Sequence, residues 1–131
     1  MTIVALLVTA TVFGGMVLYS FGFAPFVFTQ LEAQAAGLML RRAFPWYYIF
    51  SMVAGAASAF SLIFVDTIGA QIMLAVVLIA MVAHFVLMPR INAARDQGAS
   101  GKQRFDWLHR TSVALNFVQL ALIGWVLARF V

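Results

Sequence analysis

Four long apolar runs, roughly Ile3 to Phe28, Phe44 to Val65, Ala70 to Met88 and Trp107 to Ala128, occupy most of this 131-residue chain. An α-helix needs about 20 mostly apolar residues to cross hydrocarbon, and each run approaches or exceeds that length. The chain is 65% hydrophobic and 9% charged. Soluble domains are nearer one-half apolar and about one-quarter charged, so little polar surface is left here to coat a globule in water. The expected fold is an all-α polytopic membrane four-helix bundle with up-down topology. It is read as one domain over residues 1–131, with spans at about 3–28, 44–65, 70–88 and 107–128.

The segments between the runs have their own signals. The first run is long, which predicts tilt or a bend, and Pro25 near its end removes a backbone donor. Thr29-Gln30-Leu31-Glu32 has the form of a capping box. It predicts a short interfacial helix between spans 1 and 2, from Leu31 to Arg42. Pro45 suits the first turn of the second span. Asp66, Thr67 and Gly69 make a tight connection, the third span stops at Pro89, and Arg90 to Phe105 reads as a polar loop.

Charge sets the expected orientation. Arg41, Arg42, Arg90, Arg95, Lys102, Arg104 and Arg110 fall in the first and third gaps, whereas Arg129 alone lies on the other side. The positive-inside rule then puts the basic loops in the cytoplasm of a bacterial inner (plasma) membrane, with both termini outside. Trp46, Tyr47, Tyr48 and Trp107 would form the inner aromatic belt and Trp125 part of the outer one. Met1 to Ala10 lacks the basic start of a secretory signal, so the first run is expected to stay as a helix. Membrane lipids are the expected counterpart of the basic residues.

Motifs for catalysis are missing. Cysteine is absent, no Gly-rich phosphate loop or HExxH occurs, and no carboxylate pair has a spacing for acid/base work. The basic third gap lacks the aromatic interleaving of a nucleic-acid binder. What stands out is a set of polar stripes at helical spacing. His109, Ser112, Asn116 and Gln119 share one face of the fourth span; Tyr47, Ser51, Ala54, Ser58 and Ser61 share one of the second. Such groups turn away from hydrocarbon. They are either helix glue, at about 1 kcal/mol per bond, or the lining of a site. Pro25, Pro45, Pro89 and His109 sit at cytoplasmic helix ends. With Arg90, Tyr48, Ser112, Asn116 and Gln119 they frame an expected polar vestibule for a small ligand or lipid headgroup. Arg90 would hold an anion there or pair with Asp106 or Glu32. His109 with His84 are the candidates for haem or metal, and Met81, His84 and Met88 form a soft set suited to Cu(I).

Several motifs together resemble the transmembrane protein 205 family of small membrane proteins. They are Phe21 to Phe28 (FGFAPFVF), Ala36-Gly37, Phe44 to Tyr48 (FPWYY), Met88 to Asn92 (MPRIN) and Leu108 to Ser112 (LHRTS), with Asn116 downstream. The resemblance implies a four-helix membrane domain. It carries over Pro25, Gly37, Pro45, Tyr48, Pro89, Arg90, His109 and Asn116; His84 lies outside the pattern. Eukaryotic members of that family are linked with resistance to platinum drugs, which implies handling of metals or small solutes. The architecture is similar, more distantly, to the copper-resistance protein D group and to the four-helix protoporphyrinogen oxidase that binds haem.

The functional expectation is a non-enzymatic binding or transport component with a polar site at the cytoplasmic face. The alternative is a haem-binding redox protein using His109. Four short spans enclose little volume, so a solute pathway would call for a homo-oligomer, for which Ser51, Gly55 and Ala59 offer a small-residue ridge.

Overall fold

In the computed structural model, which describes residues 1–131, every regular element is helical. Four long helices follow one another: α1, Thr2–Gln30; α2, Ala33–Leu62; α3, Thr67–Asp96; and α4, Lys102–Ala128. α1, α3 and α4 with its leading turn are long and apolar enough to cross a membrane. α2 is equally long, but Tyr47, Tyr48, Ser51, Ser58 and Ser61 dilute its apolar character, and all five are buried.

Each helix packs on its neighbours in sequence, and α1 closes the ring against α4. The order is antiparallel throughout. Thr9, early in α1, bonds Ser58, late in α2, while Tyr19 further along α1 stacks on Tyr47. Both chain termini therefore share one end with the α2–α3 turn. The turns around Leu31 and around Gly98–Gly101 share the other.

Only 31 of 131 residues are buried, and the apolar remainder faces outward. Leu7, Leu18, Phe60, Leu78 and Phe85 are all exposed on the helix flanks. An exposed apolar surface that runs right round the bundle is incompatible with water as the solvent. This is an integral membrane protein.

The bundle is packed unevenly along its length. From the end that holds the termini to the middle of the bundle, Met16, Leu62, Met73 and Ile123, one from each helix, are fully buried. Small residues bring the backbones together there. The Phe50 ring lies on Gly15, and Gly55 faces Val77 so closely that a Cβ would sit 2.9 Å from a Val77 methyl. The Gly55 ridge is thus used within the chain. The same end is clamped by Arg129, which donates to both carboxylate oxygens of Asp66, at 2.5 and 2.8 Å.

Toward the opposite end the helices change character. α1 contains a wide π turn at Leu18–Phe23, where the Ala24 N–H reaches back to the Tyr19 carbonyl, and Pro25 follows at once. α3 repeats the device: the Met88 N–H reaches back to Ala83 across the π turn Ala83–Leu87, and Pro89 follows. In each case the wide turn precedes a residue that has no donor to give. Local widening of this kind is how a helix passes a proline inside a membrane.

Several expectations are corrected here. Pro89 does not end the third helix, which runs on to Asp96, and most of Arg90–Phe105 is helical. The turn shrinks to Gln97 and the short Gly98–Gly101 segment, where Gly98 takes φ +64°. The separate interfacial helix is likewise not formed: Ala33–Leu62 is one helix with Pro45 inside it, not in its first turn. No turn residue separates Arg42 from Phe44, and the carbonyl freed by Pro45 is that of Arg41, near a polar end. The capping box also fails. Glu32 is the N-cap without a side-chain bond, and Thr29 donates back to Phe26 instead.

Gly55→Leu should wedge α2 from α3. Overpacking of this kind costs about 1–3 kcal/mol, so the melting temperature in detergent should fall clearly below that of Gly55→Ala. The Arg129 hydrogen bonds pull the Asp66 carboxyl from its ordinary 3.8 down to about 2. The folded-state value lies below the unfolded one, so the clamp is fully present above about pH 4 and is lost as pH falls toward about 2. A melting series over that window should show a loss of stability that Asp66→Asn removes.

Candidate binding chamber

Where the helices pass their prolines, the bundle opens around a chamber of about 680 Å³. That lies inside the range of about 300–1,000 Å³ typical of small-molecule sites. Its walls are mostly apolar. Phe21, Pro25 and Phe28 come from α1, Leu40 and Phe44 from α2, and Met88 and Ile91 from α3. Phe21, Phe28 and Phe117 line the chamber and are also more than half exposed, so this side opens toward the surrounding hydrocarbon.

One polar knot sits within these walls. The π turn of α1 presents Tyr19 and Ser20. Tyr19 stacks on Tyr47 with ring centroids 4.3 Å apart. The Tyr47 hydroxyl donates to Asn116 Oδ1, and Asn116 Nδ2 donates to Ser20 Oγ at 3.0 Å. Asn116 therefore joins α4 to both α1 and α2. Deeper in, Gln119 Nε2 donates to the Val76 carbonyl at 3.0 Å. These bonds are helix glue, and the groups that make them also line the chamber. In the serine stripe of α2 only Ser58 is glue, through Thr9, while Ser51 and Ser61 bond carbonyls of their own helix.

The polar end of the chamber is basic. Arg41 makes a two-pronged pair with Asp96 at 2.7 and 3.0 Å. Arg95 Nη1 donates to the Gly37 carbonyl at 2.9 Å. The Arg95 guanidinium also lies 5.4 Å from the centre of the Phe105 ring. His109 stacks on that same ring at 5.7 Å, nearly parallel. The Arg95 guanidinium rests directly on Gly37, where a Cβ would fall 2.5 Å from Nη2 and push the guanidinium aside. Arg41, Arg95 and His109 all line the chamber, and no carboxylate does.

Of the residues singled out from sequence, Tyr48, His109, Ser112, Asn116 and Gln119 come together around this chamber. Arg90 does not; it is exposed, and its expected pairing with Asp106 or Glu32 is not made. The two ion pairs are Arg41–Asp96 and Arg129–Asp66. His84 lies outside the chamber, its ring 5.9 Å from Tyr48 and 4.6 Å from Phe85, with Nδ1 buried and unpartnered. Met88 lines the chamber, whereas Met81 is exposed on the flank. No cluster of three His, Asp or Glu forms. Sequence reasoning missed Arg95, Asn92 and Phe105. Their signal was helical spacing: Met88, Asn92 and Arg95 are four and three apart, a shared face hidden by reading Arg90–Phe105 as a loop.

A family model, the domain of unknown function DUF4149, matches residues 7–100. The chain belongs to this family. The DUF4149 match runs from α1 to the turn before α4, so it holds both prolines with π turns, Gly37 and Arg95. His109, Ser112, Asn116 and Gln119 follow it. No curated protein and no solved structure matches the chain.

Removing the Tyr47 hydroxyl or the Asn116 amide should cost about 0.6–2 kcal/mol each in this setting. Because the two share one bond, Tyr47→Phe and Asn116→Leu should combine to less than the sum of their separate effects. Unfolding of the double variant and its parents in mixed micelles checks this.

Proposed function

We propose that this DUF4149 protein is a four-span membrane protein that binds a small molecule in the chamber. It would serve as a binding or transport component and not as an enzyme. One observation carries the reading: four polar residues picked out by helical spacing, with Tyr48 from the motif likeness, converge on a single cavity that also has a basic end.

The fourth span is supported by position. α2 lies antiparallel between α1 and α3, and its polar residues turn inward to buried positions. Two neighbours that cross the bilayer would take it across with them. The end that holds Arg41, Arg95, Lys102, Arg104 and Arg110 would face the cytoplasm, and the Asp66–Arg129 clamp and both termini the outside. Exposed Trp46 and Trp107 near the first of these ends and Trp125 near the other suit two interfacial belts. The motif likeness to the transmembrane protein 205 family agrees with a role in handling small solutes.

The chain has no cysteine of its own, so single-cysteine variants report cleanly. Val131→Cys should react with a membrane-impermeant maleimide in intact spheroplasts, and Ala99→Cys only after lysis. The reverse pattern would contradict the orientation. For the chamber, Ser112→Trp should fill it. Native mass spectrometry from nanodiscs should show a bound species on the wild type that this variant loses without a lower melting temperature. Identical spectra for both would contradict a binding role.

A further inference from the structure

The chamber differs at its two extremes. One holds cationic donors with no acid among the lining residues. Apart from the Ser20–Asn116–Tyr47 knot and a few other polar groups, the rest is aromatic and aliphatic, and it opens sideways past Phe21, Phe28 and Phe117. Of the carboxylates near this end, Asp96 has both oxygens taken by Arg41, and Glu32 and Asp106 neither line the chamber nor pair with Arg95. Arg95 has no carboxylate partner, and one of its five N–H donors is used, on the Gly37 carbonyl. Phe105 holds both Arg95 and His109 against its ring, so two donors are oriented in advance of any ligand. Further in, the Tyr19 hydroxyl is buried without a partner.

Water satisfies the basic extreme and the polar knot of such a space, but the aromatic and aliphatic walls between give it nothing to bond. A free inorganic anion leaves the apolar length empty. A neutral apolar molecule leaves Arg95, which stands exposed at the polar end with four N–H donors unused, without a counter-charge. Resting on the binding role proposed above, we infer that the ligand is an anionic amphiphile. Its carboxylate or phosphate sits on Arg95 and His109, and its acyl chain lies along the apolar walls toward the lateral mouth. Two sources share this chemistry: a free single-chain lipid such as a fatty acid or lysophosphatidate, and an anionic diacyl phospholipid whose second chain stays in the bilayer.

The test uses the full-length protein in phosphatidylcholine vesicles with diazirine-bearing lipids, and the crosslinked residues are mapped after photolysis. The probes are palmitic acid, palmityl alcohol and diacyl phosphatidylglycerol, each with the same photoactive chain. Palmitic acid is expected to label the chamber walls about ten-fold or more above the alcohol, as befits a charge-assisted contact. Arg95→Gln should abolish that preference, Arg95→Lys should keep part of it, and Arg90→Gln, outside the chamber, should leave it intact. Labelling by phosphatidylglycerol with the same Arg95 dependence also supports the inference and assigns the source to the bilayer. The acid–alcohol comparison is made on the wild type, so it stands even if Arg95→Gln folds poorly. Equal labelling by acid and alcohol, or labelling indifferent to Arg95, would overturn the anionic head while leaving the binding role in place. Chamber residues that none of the probes label would overturn both.

Discussion

Hydrocarbon gives apolar side chains no reason to leave it, so helices in a membrane associate through close packing and through polar groups that have no other partner. Both forces are visible at particular residues. Gly15 beneath Phe50 and Gly55 against Val77 let backbones approach. Thr9 with Ser58, Asn116 with Tyr47 and Ser20, and Gln119 with the Val76 carbonyl tie the four helices pairwise. The large side chains that would form the core of a soluble protein, among them Leu18, Phe60 and Leu78, are displayed outward.

From this constraint the uneven interior follows. At one end the small residues and the Asp66–Arg129 clamp produce a dry, filled core. At the other, Pro25 and Pro89 each follow a π turn, and the α1 and α3 backbones widen there. The space so opened is lined by whatever those turns and the facing stretch of α4 present: Tyr19 and Ser20, Ala83 and Met88, His109 through Gln119. A site is built where the packing relaxes.

The broad fold was legible because its signal is large and one-dimensional: apolar runs of bilayer length separated by clustered basic residues. The polar face of α4 was equally legible, since 109, 112, 116 and 119 follow helical spacing. Punctuation misled at three places. Pro89 and Pro45 read as boundaries, yet a π turn lets α3 pass the first, and α2 tolerates the second near a polar end. Glu32 read as half of a capping box, although its side chain makes no such bond. The same misreading cost the basic residue of the chamber. With 90–105 read as a loop, Arg95 has no face, and Arg90 stands in for it on motif likeness alone. The contacts of Arg95 with Gly37 and Phe105 join three helices across distant sequence, which no local pattern encodes.

Spin labels placed one at a time on the cysteine-free chain test most directly whether hydrocarbon is the solvent. With labels at Val53, Phe60, Leu78, Phe85 and Phe117 in reconstituted vesicles, collision rates with dissolved oxygen and with a water-soluble nickel chelate are compared. The account predicts that oxygen reaches all five and the chelate none, while a label at Ala99 shows the opposite. Strong nickel access at Leu78 or Phe60 would contradict it, because those flanks would then face water.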